Sequence, residues 1–91
     1  MMTTVKRKQT MIFLTTNKND IESKQVGRHF PMVTIIEITD PNLVNLISGN
    51  ETLYLDWRLK TNRSILLMLE VVRGNIGYKI LENQGNKYIK Y

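Results

Sequence analysis

The sequence predicts an α+β domain: an antiparallel sheet of about five strands with two short helices on one face, in the order β-β-α-β-α-β-β. Three observations predict it. Runs dense in β-branched and aromatic residues recur along the chain, capping and stop residues bracket two leucine-rich segments, and a two-sided polar alternation marks a strand between them. With 91 residues and 42% apolar content, the chain supports one core, since a chain of this length buries only about 60–65% of its unfolded surface. Residues 1–91 are therefore expected to form a single domain, with 1–8 as a basic arm.

Residues 9–16 hold Met11, Ile12, Phe13 and Leu14 before two threonines, which predicts a strand ended by Asn17, Lys18, Asn19 and Asp20. Residues 17–29 are polar, carry Gly27, and are expected to form a long loop with one helical turn around 21–26. Residues 30–39 are rich in Val, Ile and Thr and predict a second strand, with Pro31 at its start. Asp40 then offers a helix cap and Pro41 a first helical residue, and Leu43, Val44, Leu46 and Ile47 recur at helical spacing up to Gly49.

Over residues 52–60, Leu53, Leu55, Trp57 and Leu59 alternate with Tyr54, Asp56, Arg58 and Lys60, the pattern of a half-buried strand. Thr61, Asn62, Arg63 and Ser64 offer caps before the apolar residues Ile65 to Val72, and the segment over 64–72 fits either a helix or a buried strand. Its Leu, Met and Glu content favours the helix, which Gly74 would stop. Ile76, Tyr78 and Ile80, a polar turn over 83–86 and the sequence from Lys87 to the end predict a terminal β-hairpin.

The chain has no cysteine, which excludes disulfides, thiolate metal sites and cysteine nucleophiles. No apolar run approaches the roughly 20 residues that a membrane span needs, and the basic and apolar residues near the start lack a signal-peptide cleavage site. A cytoplasmic location is the expectation. Alanine is absent while Ile, Asn, Lys and Tyr are abundant, the usage that AT-rich codons produce.

The net charge of +5 is unevenly placed. Residues 1–36 sum to +4, residues 37–57 hold only acids and sum to −4, and residues 58–91 sum to +5. A basic end with tyrosines at 78, 88 and 91 is a surface suited to phosphates and to stacking on bases. The expected nucleic-acid-binding set is Tyr54, Arg58, Lys60, Arg63, Lys79, Lys87, Tyr88 and Lys90; Tyr78 shares parity with Ile76 and Ile80 and is assigned to the core. The same charges also serve solubility and protect strand edges.

His29 is the only histidine and has no second imidazole to complete a zinc site. Ser23, Ser48 and Ser64 sit in no nucleophile motif, and Gly74, Asn75, Ile76 and Gly77 lack the ending of a phosphate loop. Glu37 and Asp40 alone do not make a metal-dependent hydrolase. Neither cofactor nor metal is expected, and the balance leans away from catalysis.

The runs Leu53-Tyr54-Leu55-Asp56-Trp57-Arg58-Leu59, Thr61-Asn62-Arg63-Ser64-Ile65-Leu66-Leu67, Gly74-Asn75-Ile76-Gly77-Tyr78-Lys79 and Asn86-Lys87-Tyr88-Ile89-Lys90-Tyr91 resemble the strand, helix and hairpin portion of LAGLIDADG homing endonucleases. The resemblance covers residues 52–91 and implies a curved antiparallel sheet laid along DNA. The helix that ends in that family's metal-binding acid has no counterpart here, so no catalytic residue carries over. The resulting expectation is a non-catalytic module for DNA or RNA. The alternative is a small phage- or plasmid-type protein that docks on a host protein, and an exposed hairpin would suit a homodimer in either case.

Overall fold

Met11–Thr15 forms β1, an apolar strand flanked on both sides by other strands and covered on both faces. Ile21–His29 forms helix α1, opened by Asp20, whose carboxylate accepts from the Ser23 backbone N–H at 2.8 Å. The remaining elements are β2 (Val33–Glu37), α2 (Leu43–Ile47), β3 (Thr52–Asp56), a 3-10 turn (Trp57–Leu59), α3 (Arg63–Arg73), a second 3-10 turn (Gly74–Ile76), β4 (Lys79–Gln84) and β5 (Lys87–Lys90). This computed structural model describes residues 11–84 and 87–90. The expected arm over 1–8, the centre of the expected turn at 85–86, and Tyr91 lie outside the described residues.

The mixed α and β character and the five strands are as expected, but the sheet is mostly parallel. Its order is β2-β1-β3-β4-β5, with β1 parallel to β2 and β3, β3 parallel to β4, and only β4 and β5 antiparallel. The curved antiparallel sheet implied by the homing-endonuclease resemblance is accordingly not what forms. The reason lies in the connections. Segments 16–32, 38–51 and 57–78 each contain a helix and exceed the dozen or so residues that a parallel crossover needs. Reading 17–29 as a loop removes the first crossover and with it the parallel pairing. The element order is therefore β-α-β-α-β-α-β-β.

The helices lie on both faces of the sheet, where two on one face were expected. Ile12, Leu14, Leu53 and Leu55 pack against Leu43 and Ile47 of α2 and Leu69 of α3. Their strand neighbours of opposite parity, Phe13 and Tyr54, pack with Val26 of α1 and Leu81 of β4. β3 is thus covered on both sides, and it ends at Asp56, where the predicted strand continues to residue 60. Trp57–Leu59 turns away as a 3-10 segment because the Asp56 carboxylate accepts from the Arg58 N–H at 3.0 Å.

The segment over 64–72 is helical. The Asn62 side chain caps α3 by accepting from the Ile65 N–H at 3.1 Å, and Gly74 ends it at φ +50°, a conformation open chiefly to glycine. For α2 the expected cap shifts. The Asp40 carboxylate accepts from the Asn42 N–H at 2.8 Å, forming a turn ahead of the helix, and Asn42 occupies the cap position.

Candidate functional site

In an open sheet of parallel strands, ligand sites lie beyond the carboxyl ends of the strands, where neighbouring connections leave toward opposite faces. Here that point falls between β1 and β3, with α1 leaving for one face and the path to α3 for the other. Two residues close those strands, Thr15 and Asp56, both fully buried and the latter 1% exposed.

The Thr15 hydroxyl donates to Asp56 Oδ2 at 2.7 Å. Arg58 grips the same carboxylate from outside, its Nε 3.0 Å from Oδ1 and a terminal nitrogen 2.6 Å from Oδ2. Its other terminal nitrogen reaches Asp20 Oδ2 at 3.0 Å. The Ser23 hydroxyl, also buried, donates to the Asn17 carbonyl at 2.8 Å and lies 3.3 Å from Thr15 Oγ1. Burial tends to raise the Asp20 carboxyl, but hydrogen bonds from Ser23 and the positive charge of Arg58 outweigh it and hold the group below its ordinary value. Arg58 is pushed above its ordinary value, first by its hydrogen bonding to Asp56.

This arrangement clamps together the ends of β1 and β3. Both Asp56 oxygens are occupied by donors from Thr15 and Arg58, so no lone pair is left facing solvent for a substrate proton or a metal. Among the described residues no group of three or more His, Asp or Glu side chains could hold a metal ion.

At the opposite end of the sheet Arg73, 3% exposed, plays a comparable role without a carboxylate. Its guanidinium donates to the carbonyls of Ile47, Gly49, Glu51 and Gly77, joining α2, β3 and the approach to β4. Burial lowers its pKa, and the nearby charge of Glu51 partly offsets this. A cleft of about 260 Å³ opens beside it, lined among others by Glu51, Tyr78 and Lys79.

The outer surface of the α2 and α3 layer has a different character. Leu67 is 62% and Val71 85% exposed, and Val44, Leu46 and Ile76 are also exposed on that layer. The reason is visible in the helix itself. Its apolar residues run almost unbroken from Ile65 to Val72, so once Ile65, Leu66, Met68, Leu69 and Val72 turn toward the sheet, Leu67 and Val71 must point outward.

No protein-family model, curated protein or solved structure matches this chain.

Three members of the expected nucleic-acid set, Tyr54, Arg58 and Tyr88, are taken up by contacts within the fold. Tyr54 is 8% exposed and belongs to the core beneath α1, so the parity that suggested an outward ring points to the second covered face. Arg58 is engaged by Asp56 and Asp20. Tyr88 packs against His29 in a tilted and Phe30 in an edge-to-face arrangement, with ring centroids 4.5 and 5.3 Å away, and burial, assisted by the charge of Glu22, raises its phenol pKa. Lys60 lies over the Trp57 ring at 5.3 Å and remains exposed, as do Arg63, Lys79 and Lys87. Lys90 closes β5, and its side chain lies outside the described residues. Tyr78, assigned to the core, is partly buried against the α2 and α3 side.

Sequence reasoning does not place Thr15, Ser23 and Asp20 together in a site, nor Leu67 and Val71 on the surface. The sequence carries a signal for the pair that the first three surround, an acid closing an apolar strand with arginine two residues later, as in Asp56-Trp57-Arg58. For Leu67 and Val71 it is an apolar run too long for one face of an 11-residue helix.

Proposed function

We propose that this chain is a small protein-interaction domain that docks through the outer face of α3. The observation that carries this reading is the exposure of Leu67 and Val71 on a helix anchored at both ends by Asn62 and Gly74. Large apolar side chains left this exposed side by side on one helix, with Arg63 and Glu70 beside them, are characteristic of association sites. The occupied carboxylate at the crevice supports a binding role over a catalytic one, because the chain directs its best-placed acid to its own arginine.

The test is capture from nuclease-treated lysate with the wild-type chain and with Leu67→Glu and Val71→Glu variants, alongside self-association measurements on the same proteins. Association lost in both variants, with unchanged far-UV circular dichroism, is the expected result. Association equal in all three proteins removes the proposed face.

Nucleic-acid binding is the second reading, favoured by the exposure of Lys60, Arg63, Lys79 and Lys87. If those four side chains engage four phosphates of a duplex, log affinity falls with log salt at a slope of roughly −3.6. Absence of binding to mixed DNA and RNA at low salt discards it.

A further inference from the structure

Resting on the protein-interaction reading, we propose that the partner is a second copy of this chain, paired through α3 in antiparallel fashion about a two-fold axis near Leu67.

The argument begins with helix geometry. At about 100° per residue, Arg63 and Glu70 fall roughly 50° to one side of Leu67, and Ser64 and Val71 roughly 50° to the other. All five of these side chains are exposed. The outward face of α3 is therefore a leucine with a basic and an acidic residue along one flank, and a serine and a valine along the other.

Arg63 and Glu70 are seven residues apart, about 10.5 Å along the axis, too far for the contacts at three or four residues that stabilise a single helix. Three and four residues after Arg63 stand Leu66 and Leu67, and the same two residues precede Glu70 at those distances. Three residues beyond Glu70 is Arg73, whose guanidinium is committed to backbone carbonyls inside the fold. Neither Arg63 nor Glu70 has an ion-pair partner among the described residues.

A two-fold axis perpendicular to the helix turns this arrangement onto its complement. It reverses the helix direction while keeping each flank on its own side, so Arg63 meets the partner's Glu70, and Glu70 meets the partner's Arg63. Leu67 meets the partner's Leu67 at the centre, and Val71 lies beside the partner's Ser64. An isologous contact requires a patch complementary to itself under such a rotation, and the charges of this face satisfy that requirement. The face is electrically neutral even though the chain carries +5, so at about 0.15 M salt, with a Debye length near 8 Å, repulsion between the distant charges is largely screened.

Specific interfaces bury roughly 800 Å² per partner. One short helix alone falls below that, which places the contact at the small, reversible end of the range. The expected assembly is a reversible dimer with a dissociation constant roughly in the micromolar range.

Sedimentation equilibrium at 0.15 M salt, over protein concentrations from micromolar to about 1 mM, tests the proposal on the wild type, Leu67→Glu, Arg63→Glu, Glu70→Arg and the doubly reversed Arg63→Glu/Glu70→Arg chain. The wild type is expected to move from 10.7 kDa toward twice that mass, and Leu67→Glu to remain monomeric. Each single reversal weakens dimerisation about tenfold, through two lost pairs and two new like-charge contacts, and the double reversal returns it to within about threefold of wild type. A wild type monomeric throughout, a Leu67→Glu chain that still dimerises, or a double reversal no better than the singles overturns the proposal. If the wild type is monomeric yet captures another protein that Leu67→Glu and Val71→Glu lose, self-pairing falls while the protein-interaction reading stands. If both are absent, the two fall together.

Discussion

Replacing Asp56 with asparagine tests the crevice clamp most directly. The substitution keeps the shape of the side chain and one acceptor oxygen, and removes the negative charge that faces Thr15 and Arg58. A hydrogen bond to a charged group contributes about 1.5–3 kcal/mol, which sets the loss at the Thr15 hydroxyl. Breaking a fully buried ion pair costs about 3–5 kcal/mol, but the Arg58 side chain is 35% exposed and regains water, so its share is closer to about 1 kcal/mol.

Together these give a loss of about 3 kcal/mol, out of a total stability of roughly 5–14 kcal/mol for a chain of this length. Thermal unfolding followed by circular dichroism would show Tm falling by about 12–24 °C, and urea unfolding would show a lower midpoint with an unchanged slope. Thr15→Val is expected to cost less alone and to be non-additive with Asp56→Asn, since the two side chains touch. An Asp56→Asn chain within about 0.5 kcal/mol of wild type would refute the reasoning, because a surface substitution does no more than that.

Arg73→Met should destabilise by about 2–4 kcal/mol in urea titrations, since it leaves the carbonyls of Ile47, Glu51 and Gly77 without their donor, and Arg73→Lys should recover only part of that. Gly74→Ala forces a side chain onto a residue at φ +50° and should cost about 1–2 kcal/mol by the same measurement, although a Cβ there meets open space. In acid, Asp20 has a folded pKa below its unfolded value of about 3.9. Its contribution is therefore present above that value and lost as pH falls through the folded pKa, so urea midpoints should drop less below about pH 4 in Asp20→Asn than in wild type.

The elements that the sequence marks by composition and punctuation are the ones found. β1 and β2 show as apolar and β-branched runs, α3 is bracketed by Asn62 and Gly74, and the final hairpin follows its alternation. Helix α1 escapes because few of its residues are apolar. Val26 and the small Ser23 supply its buried contacts, and Ser23 is hydrogen-bonded rather than hydrophobic. Without that helix, β1 and β2 look like neighbours in an antiparallel sheet, and Tyr54 looks like the outer side of a strand with one wet face.

The charge pattern was legible as a sum but not as a surface. The acids over 37–57 include Asp56, which ends up in contact with the first arginine of the basic region, so two opposing blocks of sequence meet in one ion pair. No periodicity announces such a pairing, because it depends on where a strand stops. Leu67 and Val71 are equally hard to place from sequence alone, since an apolar residue in an apolar run looks buried until the helix's neighbours are known.

Arg73 holds the end of α2, the entry to β3 and the turn into β4 through one guanidinium. Proteins open locally in cooperative units, and a guanidinium shared by three segments couples their opening. Hydrogen exchange is expected to show amides on these three stretches losing protection together in Arg73→Met, marking the amino ends of β3 and β4 as one cooperative block.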